Sequence, residues 1–432
     1  MNNESREIER LFDHLWPICR SITGPGYRES LDILSEIMPT ERLRFKTGTV
    51  IYDWTVPKEW TPRKAYFIDP KGRKHADFSV NNLHLLGYSI PMQREMSLRE
   101  LKPHLFTLPD QPAAIPYRTS YYVERWGFCL SHREFLSLKE GRYKVVIDTE
   151  LKNGSVELGE TFLPGETRQE ILFSTYLCHP SLANNELSGP LITAFLYKRL
   201  AARRKRRFTY RFVVGPETIG TLCYLSLRGK HLASKLAAGF VVTCAGDDGL
   251  FTYKCSRRGD TLGDRAARIV LRDAGKHRLV PFTPIGSDER QYCSPGFNLP
   301  VGSLMRTMYG QYPEYHTSLD NKDLINFKAM LRTVEVYERV VDAMEANKVW
   351  ISLHPYGEPQ LGKRGLYPTL GAGKEIEKKR LAMMWFFNLA DKDHDLLAMA
   401  ERSGCSIDLL QTVAHEAAEA GLVKTSTNKH RP

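Results

Sequence analysis

Apolar positions at helical spacing open the chain. Ile8, Leu11, Phe12 and Leu15, then Leu31, Leu34, Ile37 and Met38, each share one helical face, and Gly24-Pro25-Gly26 interrupts the pattern between the two groups. Two packed helices around a turn are expected. From about Phe45 to Val156 the period changes: short alternating or wholly apolar stretches, such as Val50 to Trp54, Ala65 to Ile68 and Tyr143 to Ile147, are separated by Pro, Gly and Asp, the pattern of strands and turns. Residues 46–156 are therefore read as a β-rich domain inserted between residues 1–45 and 157–355.

Beyond Gly165 strands and helices alternate. The pattern predicts a buried strand from Ile171 to Leu177, a helix from Ser188 to Leu200, a strand from Phe208 to Val214 and a helix from Leu222 to Leu236. A strand from Phe240 to Cys244, a helix from Leu262 to Ala274, a short strand from Leu299 to Leu304 and an amphipathic helix from Lys322 to Met344 follow. This order implies crossover connections, hence an α/β fold with a mixed, mostly parallel sheet and helices on both faces. Ligands of such sheets gather beyond the carboxyl ends of the strands. A connector rich in Gly and Pro, 355–373, leads to residues 375–432, where helical patterns around Gly404 give the layout of a small winged-helix unit.

At 432 residues, 42% of them hydrophobic, the chain can bury a sizeable core divided among two or three domains. No apolar run is long enough to span a bilayer and none follows Met1, so a cytoplasmic protein without a membrane partner is expected. Eight scattered cysteines without a CxxC pair fit reduced thiols; Cys178 and Cys244, at the ends of apolar runs, read as small core residues. Part of the net charge of +11 lies in Arg203-Arg204-Lys205-Arg206-Arg207. That run reads first as a solvated helix end and second as a phosphate-binding patch or a guide for acidic substrates.

Three segments carry candidate chemistry. In Ser174 to Gly189 an apolar strand delivers His179 at its carboxyl end, and a short polar loop places Asn185 and Glu186 before a helix; an imidazole and a carboxylate so held can ligate Zn²⁺ while leaving a position open for water. In Val213 to Thr221 a second strand ends at Glu217, a candidate to move a proton between water and a leaving amine. Before the closing helix, Tyr315 and His316 offer an aromatic wall and a further imidazole, and Asp320 is placed to cap that helix or to orient a ligand. Asp288 and Glu289 lie in a polar loop that can line the pocket or add a ligand, and Arg306 is a candidate to hold a substrate carboxylate or to form a structural ion pair.

The succession strand-His-loop-Asn-x-x-Ser-Gly, strand-Glu-x-x-Gly and a late His-Thr-x-x-Asp resembles the zinc aminopeptidase superfamily. Asp53 to Trp60, Cys178-His179-Pro180-Ser181 and Tyr315-His316-Thr317 resemble most closely an uncharacterised aminopeptidase-like family with an inserted β-rich domain and a C-terminal winged helix. The resemblance covers nearly the whole chain. It implies that His179 is the first metal ligand, Glu217 the general base and His316 the last metal ligand. It also implies departures: Asn185 stands where better-known enzymes have a metal-bridging Asp, Thr218 replaces a second Glu, and Thr243-Cys244-Ala245-Gly246 lacks the usual Asp, although Asp247 follows shortly.

One zinc ion is therefore expected, with Glu186 the first choice for a third ligand and Asp288 the second. The expected function is zinc-dependent hydrolysis of an amide or peptide bond in a small substrate. A noncatalytic metal-binding regulator with a winged-helix interaction module and an amidohydrolase acting on a modified sugar or natural-product intermediate are the alternatives. Acidic residues in the final unit, Asp391, Asp393, Asp395, Glu416 and Glu419, weigh against nucleic acid and toward a protein partner or self-association.

Overall fold

A computed structural model describes residues 3–366 and 374–426; the glycines Gly371 and Gly373 of the connector and the last residues of the final unit lie outside them. The central sheet has eight strands: β1 (Glu41–Lys46), β2 (Ser155–Leu163), β3 (Glu170–Tyr176), β4 (Thr209–Gly215), β5 (Leu236–Val241), β6 (Phe251–Lys254), β7 (His277–Val280) and β8 (Val301–Met305). Their order across the sheet is β1-β2-β4-β3-β5-β8-β6-β7. Four neighbouring pairs, β4/β3, β3/β5, β5/β8 and β6/β7, are parallel, and the other three are antiparallel.

Every residue of β3 is buried, as a strand covered on both faces requires. Ile171 and Phe173 point into a core shared with α1 (Asn3–Leu15), α2 (Pro25–Ser35), α3 (Ser188–Ala201), α5 (Leu262–Ala274) and α6 (Phe327–Ala346). Leu172, on the opposite face, enters a second core with α4 (Ile219–Lys235). That second core continues into the segment between β1 and β2. There Lys74–His75, Glu59–Ile68, Arg142–Lys152 and Met92–Ser97 form, in this order, an antiparallel sheet, whose Ala65, Phe67, Tyr143, Val145 and Ile147 supply the apolar face.

Three local expectations change. The stretch from Val50 to Trp54 is a hairpin, Val50–Ile51 against Trp54–Thr55, turning at Tyr52 with φ 52°. Phe251–Lys254 and His277–Val280 are strands that helical and apolar periodicity had not marked; both are four residues long, and the second carries His277 and Arg278. The closing helix starts at Phe327, where the Asn326 side chain accepts from the Lys328 and Ala329 amides, so Asn326 rather than Asp320 is its cap.

Three of the five residues of the basic run are tied into the fold, while Arg204 and Lys205 are exposed. Arg203 pairs with Glu338 and Asp342 on α6, Arg206 donates to the Pro164, Leu200 and Arg203 carbonyls, and Arg207 donates to the Asn347 carbonyl at 2.6 Å. After α6, Val349–Ser352 pairs with Asp391–Asp395 and Val423–Thr425. The helices α7 (Lys374–Leu389), α8 (Leu396–Ser403) and α9 (Ile407–Glu419) pack on this small sheet, and Arg265 of α5 ties the unit to the main body through Asp395 at 2.7 Å. Among the described residues no helix is long and apolar enough to cross a membrane.

Candidate metal centre

Adjacent parallel strands aim the first two groups at one place. β3 ends at Tyr176 and β4 at Gly215, and the Leu177 amide donates to the Gly215 carbonyl at 2.9 Å. His179 and Glu217 therefore emerge side by side, with His179 Nε2 3.8 Å from Glu217 Oε2. The loop before α6 brings the His316 ring to within 5.4 Å of the His179 ring, centroid to centroid. The backbone is strained here: Ser181, Thr218, Cys244 and His316 all adopt positive φ, from 46° to 63°. Such clustering of costly conformations is a mark of functional sites.

The two nitrogens of His179 face different surroundings. Nδ1 lies 2.9 Å from Glu186 Oε2. Behind Glu186 sits Arg20, wholly buried, which donates to the His179 carbonyl at 3.1 Å and has its Nε 3.9 Å from Glu186 Oε1. Nε2 faces Glu217. When Glu186 is ionised it accepts the Nδ1 proton, fixes the tautomer and leaves Nε2 as the free lone pair, the arrangement by which proteins orient a metal-binding imidazole; burial raises the Glu186 pKa to about 8, so this state gains population as pH rises. Glu186, expected as a third ligand, is thus engaged on the far side of the ring. Cys178, His179 and Glu186 do offer ligand atoms within 4.8 Å of one another, but the Arg20 guanidinium adjoins that side. Burial, and after it the Glu186 charge, also hold the Cys178 thiol well above its ordinary pKa and so protonated. The Nε2 side of the ring is thus the side left open, facing Glu217.

Electrostatics favour the same side. Burial, and next the Arg20 charge, depress the His179 pKa to about 3, and burial together with His179 depresses that of His316 to about 3; both rings are neutral and available as ligands. His316 Nε2 is buried with no hydrogen-bond partner, an unmet need that a metal ion would satisfy. Burial, then Asp288, raises the Glu217 pKa, while Ser287 Oγ donates to Glu217 Oε1 at 2.8 Å and fixes the carboxylate. The donor set fits a metal that takes two imidazoles, with the Glu217 carboxylate close by.

The other expected residues support this centre. Asp320 accepts from the Ala183, Asn184 and Asn185 amides at 3.2, 2.6 and 3.0 Å, which pins the turn carrying Glu186. Asp288 accepts from the Thr218 amide at 2.8 Å and so holds the Glu217 turn. Glu289 is buried against Lys254 at 2.7 Å and receives the Tyr309 hydroxyl at 2.8 Å, bracing the Ser287 loop. Asn185 accepts from the Tyr176 hydroxyl at 3.0 Å, and its Nδ2 has no partner. Tyr315 stacks on His316 at 4.0 Å. Arg306 donates to Thr333 and to the Gly249 and Ala329 carbonyls; it holds loop to helix, forms no ion pair among the described residues and does not line the cavity beside the imidazoles.

Two contributors escaped sequence reasoning. Arg20 had no signal, being one cation between two helices. Tyr117 comes from the inserted segment: its ring lies 4.9 Å from His179 and 5.2 Å from His316, and its amide donates to the His316 carbonyl at 2.8 Å. The aromatic-rich Tyr117-Arg118-Thr119-Ser120-Tyr121-Tyr122 was the available cue. The cavity above the imidazoles, about 700 Å³, is walled by these tyrosines, Trp54, Glu217, Thr218 and Arg290.

An α/β sheet that presents imidazoles and a carboxylate at its carboxyl edge, roofed by a β-rich insert, defines a protein with the aminopeptidase-like fold. The known proteins agree. A family model described as "Domain of unknown function (DUF4910)" matches residues 9–347, and a winged helix-turn-helix model matches residues 348–425. The chain belongs to the DUF4910 family. A Clostridium acetobutylicum protein named "Putative polysaccharide biosynthesis protein with aminopeptidase-like domain" is 43% identical over 419 residues, covering 97% of this chain and 96% of that one. A crystal structure from the same organism, described as a "putative peptidase", is 42% identical with TM-score 0.91 over 98% of each chain. A zinc aminopeptidase from Bacillus subtilis shares the fold at 11% identity, TM-score 0.56, over 78% of this chain and 93% of its own. A peptidase M28 precursor from Shewanella amazonensis does so at 13% identity, TM-score 0.56, over 80% and 93%.

Proposed function

We propose that this protein is a mononuclear zinc hydrolase of amide bonds. The observation that carries the reading is the pairing of two neutral buried imidazoles, one with Nε2 unpartnered and the other oriented from behind by Glu186, beside a carboxylate fixed by Ser287. His179 and His316 would hold the ion, with the Glu217 carboxylate beside His179 Nε2 at 3.8 Å. A zinc ion so held supplies Lewis acidity toward a carbonyl oxygen and lowers the pKa of water.

The chain's own residues do the rest. Glu217 accepts a proton from the attacking water and delivers it to the departing amine; burial, then Asp288, raises the pKa of that carboxylate and strengthens it as a base. Ser287 keeps the other oxygen of that carboxylate in place. Tyr117 and Tyr315 pack against the imidazoles and narrow access of bulk water. Asn185 and Thr218 supply no charge for a second ion, which favours one metal.

A panel of aminoacyl, peptidyl and N-acyl amides, assayed with zinc-reconstituted wild type and with Glu217→Gln, tests the reading. Hydrolysis that depends on zinc and on Glu217 supports it; no turnover of any amide by protein with bound zinc leaves the noncatalytic metal-binding regulator. The naming of the Clostridium acetobutylicum relative for polysaccharide biosynthesis favours including N-acyl sugars in the panel, the amidohydrolase alternative. The winged-helix unit is assigned to docking a protein partner or a second copy.

A further inference from the structure

The cavity above the imidazoles is lined, among the described residues, by one charged group of each sign. Glu217 is the one carboxylate among the described residues that line it, and the proton-transfer role already engages that group. Arg290 is the one permanent cation there. Its only side-chain hydrogen bond among the described residues runs from an Nη to the uncharged Thr218 hydroxyl at 3.2 Å. No carboxylate pairs with it within 4.0 Å among the described residues, although its charge is felt by Glu217 and Asp288, and its Nε is buried with no hydrogen-bond partner. Elsewhere in the molecule buried or half-buried arginines are met by carboxylates or carbonyls: Arg28 by Glu59, Arg199 by Glu4 and Glu338, Arg207 by the Asn347 carbonyl. A guanidinium left short of acceptors inside a cavity is suited to bidentate recognition of a planar or tetrahedral anion.

The same cavity has aromatic lining residues. Trp54 and Tyr122, from two separate parts of the inserted segment, meet edge to face at 5.5 Å, and 37% of Trp54 and 50% of Tyr122 remain exposed. Large aromatic rings left open on a cavity wall offer a stacking surface for a ring or an apolar group of a ligand. By contrast, a free α-ammonium, the group by which a peptide amino terminus is recognised, finds no spare carboxylate in the cavity.

We infer that Arg290 is the anion receptor of this cavity, and that the substrate is an amide bearing a carboxylate or phosphate next to a ring, not a peptide with a free amino terminus. This deepens the proposed hydrolase reading and rests on it for the word substrate, whereas the binding claim stands on the cavity alone. Arg290 grips the anion, Trp54 and Tyr122 stack the ring, and the amide is left over His179 and His316.

Calorimetric titration of the full chain with benzoate, phenyl phosphate and benzylamine tests it, using wild type, Arg290→Gln, Arg290→Lys and His316→Ala, each first checked for a wild-type melting transition. One or both anions should bind wild type and His316→Ala, lose about ten- to a hundredfold in affinity in Arg290→Gln and recover part of it in Arg290→Lys. Benzylamine should bind more weakly than either anion. The stronger of the two anions tells carboxylate from phosphate. Equal affinities in wild type and Arg290→Gln, loss of the anion in His316→Ala but not in Arg290→Gln, or tighter binding of benzylamine would each overturn the assignment. Because binding is read without turnover, absence of any amide hydrolysis would sink the hydrolase reading while Arg290-dependent anion binding still held.

Discussion

Strand β4 carries two buried charged clusters, and they are built on opposite principles. In the middle of the strand Arg211 donates to both oxygens of Glu170 at 2.7 and 3.0 Å, bonds Glu160, and lies against the Tyr224 hydroxyl and His231. Glu160 also receives Arg228 at 2.8 Å. Every charge there is answered. Just past the strand's end, His316 Nε2, Asn185 Nδ2, Glu186 Oε1, Arg20 Nε and Arg290 Nε are all buried without hydrogen-bond partners, although Arg20 Nε and Glu186 Oε1 face each other at 3.9 Å. Acidity follows the same division: burial pushes the Glu186 carboxyl up to about 8, whereas at Glu170 the hydrogen bonds from Arg211 and His231 outweigh burial and hold the group below its ordinary value. A saturated cluster specifies structure; an unsaturated one, at the carboxyl edge of the sheet, awaits a ligand.

Four substitutions bear on that contrast. The largest effect belongs to Glu217→Gln, expected to lower kcat by about 10²–10⁴-fold while zinc content is unchanged; loss of zinc in the same variant would recast Glu217 as a ligand needed for retention. Arg211→Met should unfold the chain about 1–3 kcal/mol more easily, because the buried Glu160 would keep only Arg228 and the Tyr224 hydroxyl, and Glu170 only His231. Denaturant melts measure this, and zinc affinity of the folded fraction should not move.

Glu186→Gln is expected to weaken zinc affinity by about 10–100-fold through the loosened His179 ring, read by competition with a chelator. The smallest effect is assigned to Tyr117→Phe. It removes only the 2.8 Å hydroxyl contact with Tyr121, about 1 kcal/mol or less of stability, and should leave zinc affinity within about twofold; a larger change would make that hydroxyl part of the centre.

The contrast also bears on acid stability. Glu170 has a lowered folded pKa, so its contribution is present above the ordinary carboxylate range and is lost as pH falls through the folded value. Replacing it by Gln should flatten the acid limb of the stability curve.

Much of this molecule is written in local pattern. β3 and α3 were readable because a strand covered on both faces is a continuous apolar run and the helix after it begins at a polar loop. His179 and Glu217 could be singled out because each follows such a run, and His316 because it precedes an amphipathic helix. Phe251–Lys254 and His277–Val280 were not legible: four residues leave no period to detect, and half of the second is His and Arg. Asp320 was misassigned as a possible helix cap because its contacts lie with the amides of residues 183–185, far away in sequence. Arg20 meets His179 across 159 residues, and Tyr117 enters from the inserted segment. The division between the two faces of His179, Glu186 on one side and Glu217 on the other, exists only in three dimensions.

The most direct measurement is anomalous scattering at the zinc edge from crystals of zinc-reconstituted protein, paired with elemental analysis of wild type, His179→Ala and His316→Ala. The account predicts about one zinc per chain in wild type, its peak against His179 Nε2 and His316 Nε2, and near-complete loss of the ion in both variants. A peak on the Cys178 and Glu186 side of His179, or zinc retained in both variants, would contradict it.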